Sequence, residues 1–166
     1  MSSEGIRLEG EKVILLGAGG AARAVAFLCA DKGAAGVYML NRSIEKAQAV
    51  ASEVNHKVGR ECIYPMALSD YRKLPKGKHL AIQATSVGLY PDVDRAVIED
   101  GDFYRRVHTG YDLIYRPSTT RFMELVRKAG GQAYHGLKML LYQGIIAYEL
   151  WNGVSVSGEL ALEVYE

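Results

Sequence analysis

Val13-Ile14-Leu15-Leu16-Gly17-Ala18-Gly19-Gly20-Ala21-Ala22-Arg23 joins four consecutive apolar residues to a glycine-rich turn, and the turn to an alanine-rich run that reaches Ala30. A short apolar run closed by glycine reads as a buried strand, and the alanines beyond it read as a helix. Strand, glycine turn and helix in that order form a phosphate-binding arrangement. Gly17 permits the tight turn, Gly19 lets backbone N–H groups approach a pyrophosphate with no Cβ in the way, and Ala22 at the third small position allows close packing of helix on strand. The helix start then faces the anion with its free donors and the positive end of its dipole. Glycines also mark ordinary strand-to-helix turns that bind nothing, so the context of the turn has to decide.

That context lies about twenty residues further on, where a second strand should end and an acidic residue would hold the ribose of NAD. The chain reads Tyr38-Met39-Leu40-Asn41-Arg42-Ser43 there, with no carboxylate. Arg42, the Ser43 hydroxyl and Lys46 one helical turn later offer charge and hydrogen bonds suited to a 2′-phosphate, which favours NADP(H) over NAD(H). The plainer alternative is that Asn41 caps a helix and Arg42 and Lys46 are solvated charges. The glycine turn upstream tips the balance to the nucleotide.

At 166 residues the chain suits one domain with a proper core. Twenty basic and nineteen acidic residues leave a net charge of +1, so no global field would draw in nucleic acid or a membrane surface. Cys29 and Cys62 lack C-x-x-C spacing and read as buried thiols in a reducing cytosol. The four histidines are scattered without ligand spacing, so no metal is expected. No stretch approaches the roughly twenty apolar residues of a membrane span, and the reading is of a cytoplasmic protein.

Alternation continues along the chain. Strands are expected at Lys12 to Leu16, Val37 to Leu40, Glu61 to Met66, His79 to Ala84, Gly110 to Tyr115 and Gln132 to His135. Helices are expected at Ala21 to Lys32, Ile44 to Val54, Ser118 to Ala129, about Gly136 to Trp151 and about Ser157 to Tyr165, with one or two turns between Ala67 and Leu74. Ser43 would cap the second helix, and Pro117 would start the helix after the fifth strand. Short apolar strands alternating with helices predict an α/β fold, a doubly wound parallel sheet in a three-layer αβα arrangement. Ligands of such sheets lie beyond the carboxyl ends of the strands. Thr85-Ser86-Val87-Gly88 after the fourth strand offers two hydroxyls and a flexible glycine, although alone it is a common turn. Ser86 to Thr109 is a long connection suited to a functional loop. Tyr115 could face the cleft, or simply cap the sheet. Met139 and Gln143 share one helix face, which could meet a nicotinamide and a polyol or equally be core with one satisfied glutamine.

In this order the motifs resemble the Rossmann-type cofactor domain of shikimate dehydrogenase, which reduces 3-dehydroshikimate with NADPH. The resemblance rests on Gly17 to Arg23, Asn41-Arg42-Ser43 with Lys46, Ala84-Thr85-Ser86-Val87-Gly88, Asp112-Leu113-Ile114-Tyr115-Arg116-Pro117, and Gly136 with Met139-Leu140, Gln143-Gly144 and Glu149-Leu150-Trp151. It implies that Gly17, Ala18, Gly19, Gly20, Ala21 and Ala22 hold the pyrophosphate, and that Asn41, Arg42, Ser43 and Lys46 hold the adenosine 2′-phosphate. Thr85, Ser86, Val87, Gly88, Leu113, Gly136 and Met139 would line the nicotinamide half, and Tyr115 and Gln143 would touch the substrate. Gln83 departs from the asparagine common in the family, which puts one hydrogen bond on the ligand side in question, and Lys138 stands where a small residue is frequent.

The family carries its catalytic lysine and aspartate on a separate N-terminal substrate domain, and those segments are not recognisable here. Hydride transfer to a ketone needs a proton donor, worth roughly a hundredfold to ten-thousandfold. The expectation is one NADP-binding domain over residues 1–166, excised or naturally alone, with no catalytic residue of its own and little activity without the substrate domain. The alternatives are a non-catalytic module that senses NADPH or completes a partner chain, and a reductase of quinate. If Leu160, Leu162 and Val164 face the absent domain, the chain should expose an apolar patch and self-associate.

Overall fold

A computed structural model describes residues 7–136, 144–145 and 152–157. Most of the expected helices about Gly136 to Trp151 and Ser157 to Tyr165, together with Lys138, Met139, Gln143 and the face of Leu160, Leu162 and Val164, lies outside the described residues.

Six strands form one sheet, all parallel: β1 (Lys12–Leu16), β2 (Gly36–Asn41), β3 (Ile63–Ala67), β4 (His79–Gln83), β5 (Val107–Asp112) and β6 (Gln132–His135). Their spatial order is β3-β2-β1-β4-β5-β6, so the order reverses between β1 and β4. Four helices connect them: α1 (Gly20–Asp31), α2 (Ile44–Val58), the single turn α3 (Gly101–Tyr104) and α4 (Arg121–Lys128). A 3-10 segment, Leu68–Lys73, supplies the short helical turns expected before β4.

The pleat of β1 shows how a continuous apolar run builds two cores. Val13 and Leu15 point to one face and pack with Ala22, Val25, Ala26, Ala47 and Val54 of α1 and α2. Ile14 and Leu16 point to the other and pack with Phe103, Tyr104, Phe122, Met123 and Val126 of α3 and α4. Both faces of the sheet are therefore covered, which gives the three-layer αβα fold expected from the sequence. Among the described residues no helix is long and apolar enough to cross a membrane.

Three elements differ from the sequence reading by three residues or more at a boundary. Helix α2 runs on past Val54 to Val58 and stops at Gly59, whose φ of 70° is left-handed. The polar Asn55 does not end the helix because its side chain turns inward. Its Oδ1 accepts from the N–H groups of Cys62 and Ile63 at 3.0 and 2.9 Å, and its Nδ2 donates to the Ile63 carbonyl at 3.0 Å. One amide thus registers α2 on β3. Strand β5 runs from Val107 to Asp112, not from Gly110 to Tyr115. The polar pair His108-Thr109 near its start hid the strand, and the apolar Leu113-Ile114-Tyr115 lies beyond its end. Pro117 does not start α4; Thr120 caps it, its Oγ1 accepting from Met123 N–H at 3.3 Å. The long connection also holds α3, capped by Asp100. At the outer end of the strand order, β3 carries Pro65 opposite Met39.

Replacing Asn55 by alanine leaves two buried N–H groups without an acceptor, and the expected loss of stability is about 3 kcal/mol, read from urea melts. A loss below about 1 kcal/mol would show that water or the relaxed chain replaces the amide.

Candidate functional site

Gly17 leaves the end of β1 with φ of 116°, a value L side chains rarely adopt. A Cβ there would stand 2.9 Å from the Ala84 carbonyl oxygen and 3.1 Å from Thr85 Cγ2, so the turns after β1 and β4 touch where residue 17 has no side chain. Gly17 N–H donates to the Leu40 carbonyl and Ala84 N–H to that of Leu16, both at 2.9 Å, which knits the ends of three neighbouring strands. Helix α1 starts from Gly19 with no side-chain cap and no acidic residue in its first turn. A Cβ at Gly19 or Gly20 would meet nothing within 4 Å. The first-turn donors therefore face open space with no side chain competing for them. Ala22, at the third small position, is fully buried against the sheet.

A groove of about 640 Å³ opens beside this turn, between the start of α1 and the first half of α2. Ala18, Gly19, Gly20 and Arg23 form one wall; Asn41, Arg42, Ser43 and Lys46 form the other, with Ala49, Val50 and Glu53 deeper along α2. The sequence reading of Arg42, Ser43 and Lys46 as one cluster thus corresponds to one surface. Ser43 caps α2, its Oγ accepting from Lys46 N–H at 3.4 Å and donating to the Glu45 carboxylate at 3.1 Å. Its hydroxyl is accordingly not a spare donor. The cap is Ser43 and not Asn41, whose Nδ2 instead donates to the Ser43 carbonyl at 2.9 Å and holds the strand-to-helix turn. Arg42 and Lys46 are exposed, and neither side chain has a hydrogen-bond or ion-pair partner among the described residues.

The turn after β4 is organised from below by Gln83, which is buried. Its Oε1 accepts from Thr85 N–H and Thr85 Oγ1 at 2.7 and 2.6 Å, and its Nε2 donates to the Val87 carbonyl at 2.9 Å. Thr85 Oγ1 in turn accepts from Val87 N–H at 3.2 Å. Of the two hydroxyls expected here, that of Thr85 is spent on the turn, and Ser86 stays exposed. The substitution that put a hydrogen bond in question is a structural amide: Gln83 spends its polar atoms inside the loop. Gly88 is buried with φ of 104°.

Asp112 plays the corresponding part after β5. Fully buried, it accepts from Ile114 N–H at 2.9 Å and from Thr120 Oγ1 at 2.6 Å, tying the strand end to the cap of α4. Gly136 N–H donates to the Asp112 carbonyl, and a Cβ at Gly136 would stand 2.8 Å from Leu113 Cδ2. Leu113 is buried, whereas Tyr115 is 53% exposed on the loop and does not cap the sheet. Sequence reasoning missed the supporting roles of Gln83 and Asp112 and the ion pair between Arg23 and Glu53 across the groove. The spacing Asp112 to Thr120 held a usable signal, a carboxylate at a strand end followed by a helix-capping hydroxyl. Among the described residues no group of three or more metal-ligating side chains comes together.

Burial pushes the Asp112 carboxyl up from its ordinary 3.8 to about 6, against the two hydrogen bonds that favour its charge. Between those values the folded chain keeps a proton that the unfolded chain has lost, so stability falls as the pH rises through the window. Asp112→Asn retains an acceptor for Ile114 and cannot ionise. Relative to this variant, the wild-type chain should lose on the order of 2–3 kcal/mol between about pH 4 and pH 6.5 in urea melts. Parallel stability curves for the two proteins would show that the carboxyl carries no burial cost.

The family model of shikimate / quinate 5-dehydrogenase matches residues 2–99. A curated relative, the shikimate dehydrogenase (NADP(+)) of Methanopyrus kandleri, is 37% identical over 159 residues, covering 93% of this chain and 55% of its own length. Among solved structures, the shikimate 5-dehydrogenase of Listeria monocytogenes in complex with shikimate and NAD superposes with a TM-score of 0.75 at 25% identity, over 96% of this chain and 57% of that one. A shikimate dehydrogenase in complex with NADP+ superposes with a TM-score of 0.68 at 30% identity, over 92% and 53%. The chain spans about half the length of the curated relatives it matches. With the glycine turn and the Asn41-Arg42-Ser43 corner both inside the matched region, the chain belongs to the shikimate/quinate 5-dehydrogenase family.

Proposed function

We propose that the chain binds NADP(H) across the carboxyl ends of β2, β1 and β4, as the cofactor half of an enzyme that interconverts 3-dehydroshikimate and shikimate. The observation that carries this reading is the pair of cations, Arg42 and Lys46, unpartnered among the described residues, in a groove whose opposite wall begins at the uncapped start of α1. Backbone donors from Gly17 to Ala22 hold the pyrophosphate there. The Arg42 guanidinium offers a planar fork to the 2′-phosphate, and the Lys46 ammonium adds a point charge. Asn41 sets the corner, and Ser43 holds the helix start on which both cations depend. Asn41 also occupies the strand end where a carboxylate would accept from a free ribose 2′-hydroxyl and repel a phosphate.

Thr85, Ser86, Val87 and Gly88, with Leu113, Gly136 and Met139, line the nicotinamide half, while Tyr115 and Gln143 meet the substrate. When bound, the reduced nicotinamide supplies the hydride that reduces a ketone. The chain's own contribution is to fix the cofactor: Gln83 and Asp112 hold the turns after β4 and β5 rigid on either side of it. Relatives named as NADP(+)-dependent shikimate dehydrogenases support the cofactor and the substrate class. Coverage of about half of those relatives supports assigning the proton donor and most substrate contacts to the part these residues do not match. A cytoplasmic setting suits such biosynthetic chemistry, and quinate in place of shikimate would alter only the substrate side.

Calorimetric titration of the chain should give NADPH binding much tighter than NADH binding, with no response to shikimate added afterwards. Binding of neither nucleotide would sink the reading. Arg42→Ala should weaken NADPH by about tenfold to a hundredfold while leaving NADH nearly unchanged, the size of one lost charge-assisted hydrogen-bond pair. An equal loss for both nucleotides would place Arg42 away from the 2′-phosphate.

A further inference from the structure

The groove that contains Arg42 and Lys46 contains a third cation and one carboxylate that the cofactor reading does not use. Arg23, on the first turns of α1, reaches across to α2, where its Nη2 lies 2.9 Å from Glu53 Oε1. The same oxygen accepts from Lys57 Nζ at 3.0 Å, one turn further along α2. Glu53 therefore has two partners, and Arg23 has only Glu53 among the described residues. Both side chains of the pair are partly open to solvent, with relative exposures of 53% and 36%. The hydrogen bond from Lys57, with the charges of Arg23 and Lys57, holds the Glu53 carboxyl below its ordinary range, so it is ionised at neutral pH.

An exposed pair of this kind contributes little to stability, so its position in the groove is the more informative property. A dianionic 2′-phosphate entering beside Arg42 and Lys46 comes under the field of Glu53, which opposes it, and of Arg23, whose charge Glu53 cancels. Freed from its partner, Arg23 has the length and the donors to turn toward the phosphate. Glu53 would not be left bare by that exchange, because Lys57 still holds it.

We propose that Glu53 sets the nucleotide preference of this groove by holding Arg23 as its counter-ion, a cation that a 2′-phosphate recruits only in competition with Glu53. The proposal rests on the NADP(H) reading above and deepens it: Arg23, on the wall opposite Arg42, and Glu53, further along α2 on Arg42's own wall, become specificity-determining residues. The arrangement keeps selectivity for the phosphorylated nucleotide below what the cations alone would give, and so keeps the nucleotide exchangeable.

Titrations of NADPH and NADH into the wild-type chain, Glu53→Gln, Arg23→Ala and the double variant test this. Glutamine keeps the size of the side chain, and NADH, which lacks the 2′-phosphate, reports in the same experiment whether the groove is otherwise intact. Glu53→Gln should tighten NADPH by about threefold to tenfold at low salt and leave NADH unchanged, and the gain should shrink as salt is added. Arg23→Ala alone should change NADPH binding little, and adding it to Glu53→Gln should remove the gain. Equal or weaker NADPH binding by Glu53→Gln would overturn the proposal. A gain that survives in the double variant would overturn the part given to Arg23. A wild-type chain that bound neither nucleotide would overturn the dinucleotide reading itself, and the proposal with it, an outcome distinct from a wild-type chain that binds NADPH and a variant that shows no gain.

Discussion

The approach of two turns over Gly17 is the constraint on which the carboxyl edge of the sheet depends. Strand order reverses between β1 and β4, so the chain leaves these neighbours toward opposite layers and a crevice opens between the two exits. The crevice is only as narrow as the residues at its base allow. With no side chain at 17, the Ala84 carbonyl and the Thr85 methyl come within contact distance of the β1 turn. Gln83 then fixes the β4 turn from below, so the two sides are set against each other before any ligand arrives. Preorganisation of this kind reduces the ordering cost that binding would otherwise carry.

The neighbouring groove is fixed in the same manner, by ties between α1 and the α2 region. Arg23 and Glu53 join the helices near the glycine turn. At the other end of α1, Arg60 Nη2 donates to the carbonyls of Ala30 and Ala34 at 2.8 and 3.2 Å. Asn55 meanwhile holds α2 on β3. The helix spacing therefore depends on polar contacts at each end as well as on the apolar cluster that both helices share with the sheet, to which α1 contributes Ala22 and Ala26 and α2 contributes Ala47 and Ala51.

Much of this was legible in the sequence because the informative residues are local. Lys12 to Leu16 and Gln132 to His135 were read with the boundaries the structure gives, since glycine turns bracket them. Arg42 and Lys46 fell into one groove because a strand end and the first helical turn after it are adjacent in any such unit. What stayed hidden was long-range or internal to a turn. The polar pair His108-Thr109 lies near the start of β5, and the strand's end is set by the Asp112 carboxylate bonding forward to Ile114 and Thr120, which hydrophobic periodicity does not register. Thr85 looked like a ligand donor because sequence shows that a hydroxyl exists but not that Gln83 already holds it. The continuation of α2 through Asn55 was missed for the same reason: a polar residue reads as exposed until its buried partners are known.

Pro65 has a different kind of consequence. It stands in the middle of β3, at one end of the strand order, and among the described residues β3 is paired with β2 on one side only. A strand in that place offers a row of backbone groups to any extended chain that drifts past, and proline interrupts the row by removing one donor. The ring is tolerated because no strand among the described residues on that side asks for its missing N–H. A sheet that closes its interior with valine, leucine and isoleucine thus blunts its own rim, which limits the templated stacking by which such sheets aggregate.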